Sequence, residues 1–315
     1  MTFSSVALAL VLFGAGVAVV VWATERLLDG LVSLAAILRV APFAVSAVLS
    51  GMEAENVAVG LAAGSRGAAD VALGTVFGGG IFMMCVALGL GAMIVPLRVR
   101  LPRGVLVLLA LSPVLAGLPL VADPTPRWTG AVLLLLFAAV FAHVVQVSRR
   151  HSFMESGEVR EAGEKRRPLW LAALLAALGI GAVTAGGELV ASGATRLIAD
   201  VGLGAGLVGM VLTPAAIEAE EVIRQVVPAR AGRHDVSAGN VVGTLLWFTL
   251  FNLGLIALAT PVHVPRLART LDLPFLVGST WMAVALLARG RVGRGAGATL
   301  VGLAIAYAVL RGVLR

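Results

Sequence analysis

Two short stretches place carboxylates where water is scarce. Ile217-Glu218-Ala219-Glu220-Glu221 sits inside an apolar run of about residues 203–227, and Met52-Glu53-Ala54-Glu55-Asn56 sits inside an earlier one. An ionised side chain at the centre of a bilayer costs roughly 2.5 to 3.5 kcal/mol on insertion scales, so acids gathered there need a cavity, a cation or protons. On a helix, Glu53 and Asn56 share a face, as do Glu218 and Glu221, while Glu55 and Glu220 point well away from their first partners. If the two pairs face one another, they offer Glu53, Glu218, Glu221 and the amide of Asn56 to one ion. Thr75, Ser237, Asn240 and freed backbone carbonyls could complete an oxygen shell. Calcium takes about 6 to 8 oxygens at roughly 2.3 to 2.6 Å and prefers anionic ones, so such a shell suits a divalent cation. Glu55 and Glu220 are read as proton carriers or as lining a water-filled vestibule.

These residues need a membrane-spanning frame. The chain is 59% hydrophobic and 13% charged, with a mean hydropathy of +1.01, far from the roughly 25% charged content of a soluble domain. It reads as an all-α integral membrane protein. Strands are not expected, because the apolar runs are continuous and lack the alternation of a barrel. Ten spans are expected, at about residues 5–23, 31–63, 69–95, 105–121 and 129–147, then 169–190, 203–227, 236–259, 273–287 and 296–314. The first lacks the basic start and cleavage site of a secretory signal and is read as a retained helix. Net charge +7 resides in short connections that orient the protein, so nucleic acid is not an expected partner; inorganic cations and the lipid bilayer are. Cys85 is the only cysteine, which rules out an intrachain disulfide.

Arg149, Arg150, His151, Glu155, Glu158, Arg160, Glu161, Glu164, Lys165, Arg166 and Arg167 form the one extended polar stretch. It divides the chain into a first five-helix unit (1–147), a charged linker (148–168) and a second five-helix unit (169–315). The second unit repeats the first. One constant offset pairs Glu53 with Glu218, Glu55 with Glu220, Gly67 with Gly232 and Asp70 with Asp235; Gly74 with Gly239, Gly78 with Gly243, Gly89 with Gly254 and Pro96 with Pro261 follow in the same register. Gap-free agreement at Glu, Asp and Pro marks an internal repeat, and an odd number of crossings in each half gives the halves opposite orientations. Loops after odd-numbered spans carry most of the arginines, Arg26, Arg98, Arg100, Arg103, Arg230, Arg289, Arg291 and Arg294 among them. The linker is therefore expected in the cytoplasm and both termini outside, in a cell (plasma) membrane.

A Glu-bearing helix, a short turn with Gly-x-x-Asp, then a Gly-rich helix and an apolar run ending at Pro occur twice. The stretches are Gly67-Ala68-Ala69-Asp70 with Gly74-Thr75-Val76-Phe77-Gly78, and Gly232-Arg233-His234-Asp235 with Gly239-Asn240-Val241-Val242-Gly243. This pattern resembles the alpha repeats of the calcium/cation antiporter superfamily, whose best-known members are the sodium/calcium exchangers. The resemblance implies alternating access and export of Ca2+ or a similar divalent ion in exchange for H+ or Na+, with no cofactor. In that family each repeat carries a Gly-Thr-Ser-x-Pro-Glu type motif. Here Glu221 takes the place of the ion-binding Glu and Asn56 takes it in the first repeat; Glu55 and Glu220 replace Pro, Glu53 and Glu218 replace Ser, and Met52 and Ile217 replace Thr. Thr75 and Asn240 fall where the family has ion-facing Asn or Asp. Loss of the hydroxyls argues against a full set of sodium sites, and crowded carboxylates can be relieved by protons.

Gly51 and Pro214 are placed to interrupt each helix just before its acids. Asp70 and Asp235, just past short turns, are expected to cap the following helices. Glu188 is expected to pair within the bundle or mark a helix end. A membrane enzyme using paired carboxylates is disfavoured, since no His-x-x-x-His or Gly-x-Ser-x-Gly grouping accompanies them. An ion-binding sensor or a channel is the alternative, separated from an antiporter by whether flux is driven by an opposing gradient.

Overall fold

The computed structural model describes residues 3–37, 53–148, 168–230, 232 and 234–314. The linker expected at 148–168 falls almost wholly outside the described residues, as do residues 38–52 of the second expected span, Gly51 and Met52 among them, while its first residues, 31–37, belong to the first helix. The side chains of Glu220 and Asp235 are likewise not described.

The described residues fold almost entirely as helices. In the first half these are α1 (Phe3–Ile37), α2 (Ala54–Ser65), α3 (Ala69–Ile94), α4 (Arg103–Leu115) and α5 (Arg127–Ser148). The second half has α6 (Leu169–Val201), α7 (205–230), α8 (234–259), α9 (Ala268–Ala288) and α10 (Arg294–Val313). Among the described residues, 7 helices are long and apolar enough to cross a membrane, and 127–143 and 205–217 are shorter apolar segments. Expected spans 5–23 and 169–190 were drawn too short. Both continue as helix, to Ile37 and Val201, so Arg26 and Arg196 lie inside helices and not in loops. A charged residue in the last turns of a long helix looks like a loop in a hydropathy reading, but a helix that extends beyond the hydrocarbon keeps its backbone bonds.

α1 and α6 lie antiparallel along their length. A Cβ at Gly193 would stand 2.4 Å from the Phe13 backbone, one at Gly16 2.6 Å from that of Val190, and one at Gly30 2.5 Å from that of Ala176. Small residues let two lipid-facing helices approach backbone to backbone where apolar side chains gain little by leaving lipid. Their outer faces carry exposed Leu10, Val11, Trp22, Leu178 and Ile180, as expected of surfaces in contact with acyl chains.

The centre of the bundle is formed by α3 and α8, which are almost wholly buried. Both switch to a wide π-helical turn at corresponding places, Phe82–Ala87 and Trp247–Asn252, and then return to α-helix. Each is preceded by a glycine with positive φ, Gly67 at 71° and Gly232 at 77°, which lets the short turns double back. The repeat seen in the sequence is thus a repeat of backbone geometry. α3 also packs closely on α7: a Cβ at Gly74 would lie 2.0 Å from the Gly209 carbonyl oxygen, and one at Gly78 2.3 Å from that of Met210.

One departure from the all-helical expectation is a two-residue ladder, β1 (Leu97–Arg98) paired antiparallel with β2 (Arg291–Val292). It joins the loops that follow α3 and α9 at one end of the bundle. A pocket at this end is lined by Val95, Pro96, Arg98, Ala229, Arg230, Gly232 and His234. At the opposite end the Thr125 N–H donates to the Val262 carbonyl, tying the α4–α5 and α8–α9 connections together.

Candidate functional site

The acids come from α2 and α7, and local sequence explains their placement. α2 begins at Ala54 directly after Glu53. α7 is irregular: a π-helical turn over Val208–Leu212 leads to Thr213–Ile217, then a tight 3-10 turn over Glu218–Glu220, then α-helix from Glu221. Pro214 explains much of this, because it withholds the N–H that a regular helix would give to the carbonyl of Met210. The expected interruption at Pro214 therefore takes the form of a change in helical pitch rather than a gap. The Thr213 hydroxyl donates to the Val208 carbonyl at 2.8 Å within the widened turn.

Glu53, Glu55, Asn56, Glu218 and Glu221 are all buried. The structure joins the two halves directly: Asn56 Nδ2 donates to Glu218 Oε1 at 2.5 Å. Glu221 Oε2 accepts from Asn240 Nδ2 at 2.5 Å. Glu53 Oε1 accepts a long bond from the Thr244 hydroxyl at 3.5 Å and lies within electrostatic range of Glu55, Glu218 and Glu221. Glu55, expected to point away, is buried in the same neighbourhood and acts on Glu218 as well. Glu53 lies just before the first helical residue, so regular helical spacing does not fix its direction relative to Glu55.

Thr75 and Ser237 are fully buried, but their hydroxyl protons go to backbone carbonyls, of Ala72 at 2.9 Å and Gln225 at 2.9 Å. No described bond brings either to the carboxylates. Asn56 and Asn240 present donors to the acids rather than oxygens beside them. Accordingly, among the described residues no three His, Cys, Asp or Glu side chains are gathered closely enough to hold a metal ion. Where the two helices meet, Asn56 Oδ1 and Glu218 Oε2 are buried and have no hydrogen-bond partner. Such atoms carry the full cost of lost hydration unless something positive meets them.

One side chain in contact with these acids escaped the sequence reading. Arg224 Nη1 donates to Glu221 Oε1 at 2.7 Å and stands 4.0 Å from Glu53 Oε1. A signal for it existed: a permanent charge inside the apolar run of 203–227, one helical turn past Glu221, is as unusual in a membrane as the acids themselves.

One further expectation changes, and one of the two readings of Glu188 holds. Asp70 does not cap α3, whose start has no side-chain cap; its carboxylate instead accepts from Arg311 Nη2 of α10 at 2.6 Å. Arg311 Nε lies 3.1 Å from Asp272 Oδ1, which also accepts from the Tyr307 hydroxyl at 2.8 Å. An ion pair across the bundle outcompetes a local cap when the arginine is buried and has no water to turn to. Glu188 lies within α6 and pairs with Arg66, which also donates to the Glu188 carbonyl at 2.9 Å.

A family model described as sodium/calcium exchanger protein matches residues 8–146 and again residues 171–313. The inner membrane protein YrbG of Escherichia coli (strain K12) is 26% identical over 310 residues, covering 94% of this chain and 94% of its own. Among solved structures, the H+/Ca2+ exchanger CAX superposes with a TM-score of 0.74 at 16% identity, over 97% of this chain and 86% of its own. The sodium-calcium exchanger NCX_Mj, soaked with Na+ and Sr2+, gives a TM-score of 0.62 at 19% identity, over 98% of this chain and 99% of its own.

Proposed function

Because the chain belongs to the sodium/calcium exchanger protein family, a family of transporters and not of enzymes, we propose that it is a secondary antiporter exporting Ca2+ or a similar divalent cation. H+ or Na+ would be the counter-ion, and access would alternate around the acids of α2 and α7. The observation that carries this reading is the contact between the halves. Asn56 and Glu218 meet there, and each keeps a buried oxygen with no partner. Four carboxylates, Glu53, Glu55, Glu218 and Glu221, share the site with one guanidinium. Acids gathered in this way inside a membrane suit a cation or protons. Glu53, Asn56, Glu218, Glu221 and Asn240 are the ligands we assign, with Thr75 and Ser237 contributing only if their hydroxyls turn from the backbone. Glu55 and Glu220 would carry protons or line the approach.

Protons are the preferred counter-ion. The hydroxyl positions of the family motif hold carboxylates here, and an acid-rich shell emptied of metal is neutralised most simply by protonation. The two matched stretches support repeats at 1–147 and 169–315 joined by a linker at 148–168. The β1–β2 end carries Arg98, Arg100, Arg103, Arg230, Arg289, Arg291 and Arg294, which favours placing that end and the linker in the cytoplasm and both termini outside a plasma membrane.

Calcium uptake into proteoliposomes, driven separately by pH and sodium gradients, tests the reading. Wild-type uptake should follow one imposed gradient. Glu218→Gln and Glu221→Gln should each lose it while eluting as the wild type does on size exclusion. Glu218→Gln can still accept from Asn56 through its amide oxygen but turns the unpartnered Oε2 position into a donor. Undiminished uptake in both variants would remove the site.

A further inference from the structure

Arg224 has no assigned part in an exchange of cations, yet it sits where a cation would. We propose that Arg224 is a tethered counter-cation of the transport site: it neutralises Glu221 and Glu53 while no metal ion is bound, and must leave Glu221 for one to enter. The proposal rests on reading the α2 and α7 acids as the transport site.

Three observations carry it. First, the guanidinium reaches acids of both halves, Glu221 Oε1 at 2.7 Å and Glu53 Oε1 at 4.0 Å. Any divalent ion coordinated by those two oxygens competes with it for the same space and charge. Secondly, the guanidinium cannot lose its charge, so unlike a proton it stays with the protein through the whole cycle. Thirdly, the side chain is 22% exposed whereas Glu221 is 1% exposed. The head group thus has somewhere to go, and a long flexible stem lets it move without unwinding α7. The carboxylates therefore meet a cationic donor within the protein itself. The corresponding residue of the first half is Val59, wholly buried and apolar, so the device is built into one half.

The consequence is a weaker but more easily emptied site, and an unloaded carrier that needs one fewer counter-ion to cross. Calcium binding to the purified full-length protein, measured by titration calorimetry, tests the first part. Arg224→Gln should bind Ca2+ at least about tenfold more tightly, since a fixed positive charge beside the ligands has been removed. Arg224→Lys keeps the charge and should stay within a few-fold of wild type. In proteoliposomes Arg224→Gln should show a steeper dependence on counter-ion concentration. Arg224→Met, which preserves the apolar stem, gives the same comparison if Arg224→Gln does not purify as a folded protein. Equal or weaker Ca2+ binding by the folded neutral variants would overturn the proposal, because a merely structural pairing cannot raise affinity when lost. Wild-type exchange with an unchanged neutral variant removes the role of Arg224 alone. Absence of both binding and exchange in the wild type removes the transport site itself, and the proposal with it.

Discussion

The two halves agree where they build the scaffold and disagree at the buried acids of the proposed transport site. α3 and α8 change helical pitch at equivalent residues and follow equivalent glycine turns. The acidic helices they support do not match. The first offers Glu53, Glu55 and Asn56 from a helix start. The second offers Glu218 and Glu221 across a tight turn and adds Arg224. Symmetric scaffolding suits a protein that must present one site to either side of a membrane by exchanging the roles of its halves. On the proposed reading of the site, these unlike side chains would make the two halves hold the ion unequally.

The largest expected effects test that inequality. Glu218 is bonded across the interface and owns an unpartnered oxygen, while Glu53 accepts a long bond from Thr244 and lies 4.0 Å from Arg224. Neutralising Glu53 as Glu53→Gln should slow exchange about tenfold, one step of roughly 1.4 kcal/mol. Glu218→Gln should slow it at least about a hundredfold. Equal losses in parallel flux assays would show that the halves bind alike, whatever their hydrogen bonds.

The halves also differ in buried ion pairs away from the acids. Arg311, Asp272 and Tyr307 connect α9 and α10 to Asp70 of α3, and the equivalents of those three residues in the first half are Gln146, Val107 and Ala142. Removing one partner of a buried pair typically costs about 3 to 5 kcal/mol because the other charge is stranded. Arg311→Gln should therefore lower the melting temperature in detergent markedly. Arg66→Gln breaks the exposed pair with Glu188, where side chains are 35% and 45% accessible, and should cost no more than about 1 kcal/mol. Similar shifts in the two variants would show that Arg311 is better solvated than its burial implies.

The helical repeat was legible because it rests on composition and on Glu, Asp, Gly and Pro recurring at one offset, features a bilayer imposes directly on sequence. The union of Glu218 with Asn56 was legible for the same reason, since two acidic helices in lipid have few other places to go. What was hidden depended on distance in the chain. Asp70 looked like a cap because Arg311 lies 241 residues away. The full lengths of α1 and α6 were hidden by Arg26 and Arg196, which resemble loop residues until the pairing of the two helices is seen. Glu55 was misplaced because regular helical spacing was assumed across residues where the helix is only starting. Arg224 was overlooked for a different reason: a lone arginine among acids reads as part of their charge pattern rather than as a competitor for it.

The smallest expected effect lies at the end of the bundle away from β1 and β2, where the halves touch through loops. Asp123 accepts from the Val264 N–H at 3.1 Å and contacts His263 Nδ1 at 3.0 Å. The Val264 hydrogen bond, aided by His263 and the nearby Arg269 charge, holds the Asp123 carboxyl below the usual carboxylate range. A depressed acid stabilises the fold at every pH above its unfolded value, about 3.9 for aspartate, and that contribution fades as pH falls through the lowered folded value. Asp123→Ala should thus lower the melting temperature slightly and by a constant amount from neutral pH down to about 4, with the gap to wild type closing in stronger acid. A gap that widens on acidification would mean that the carboxyl is favoured in its protonated form, and that the loops joining the halves are held by something other than these bonds.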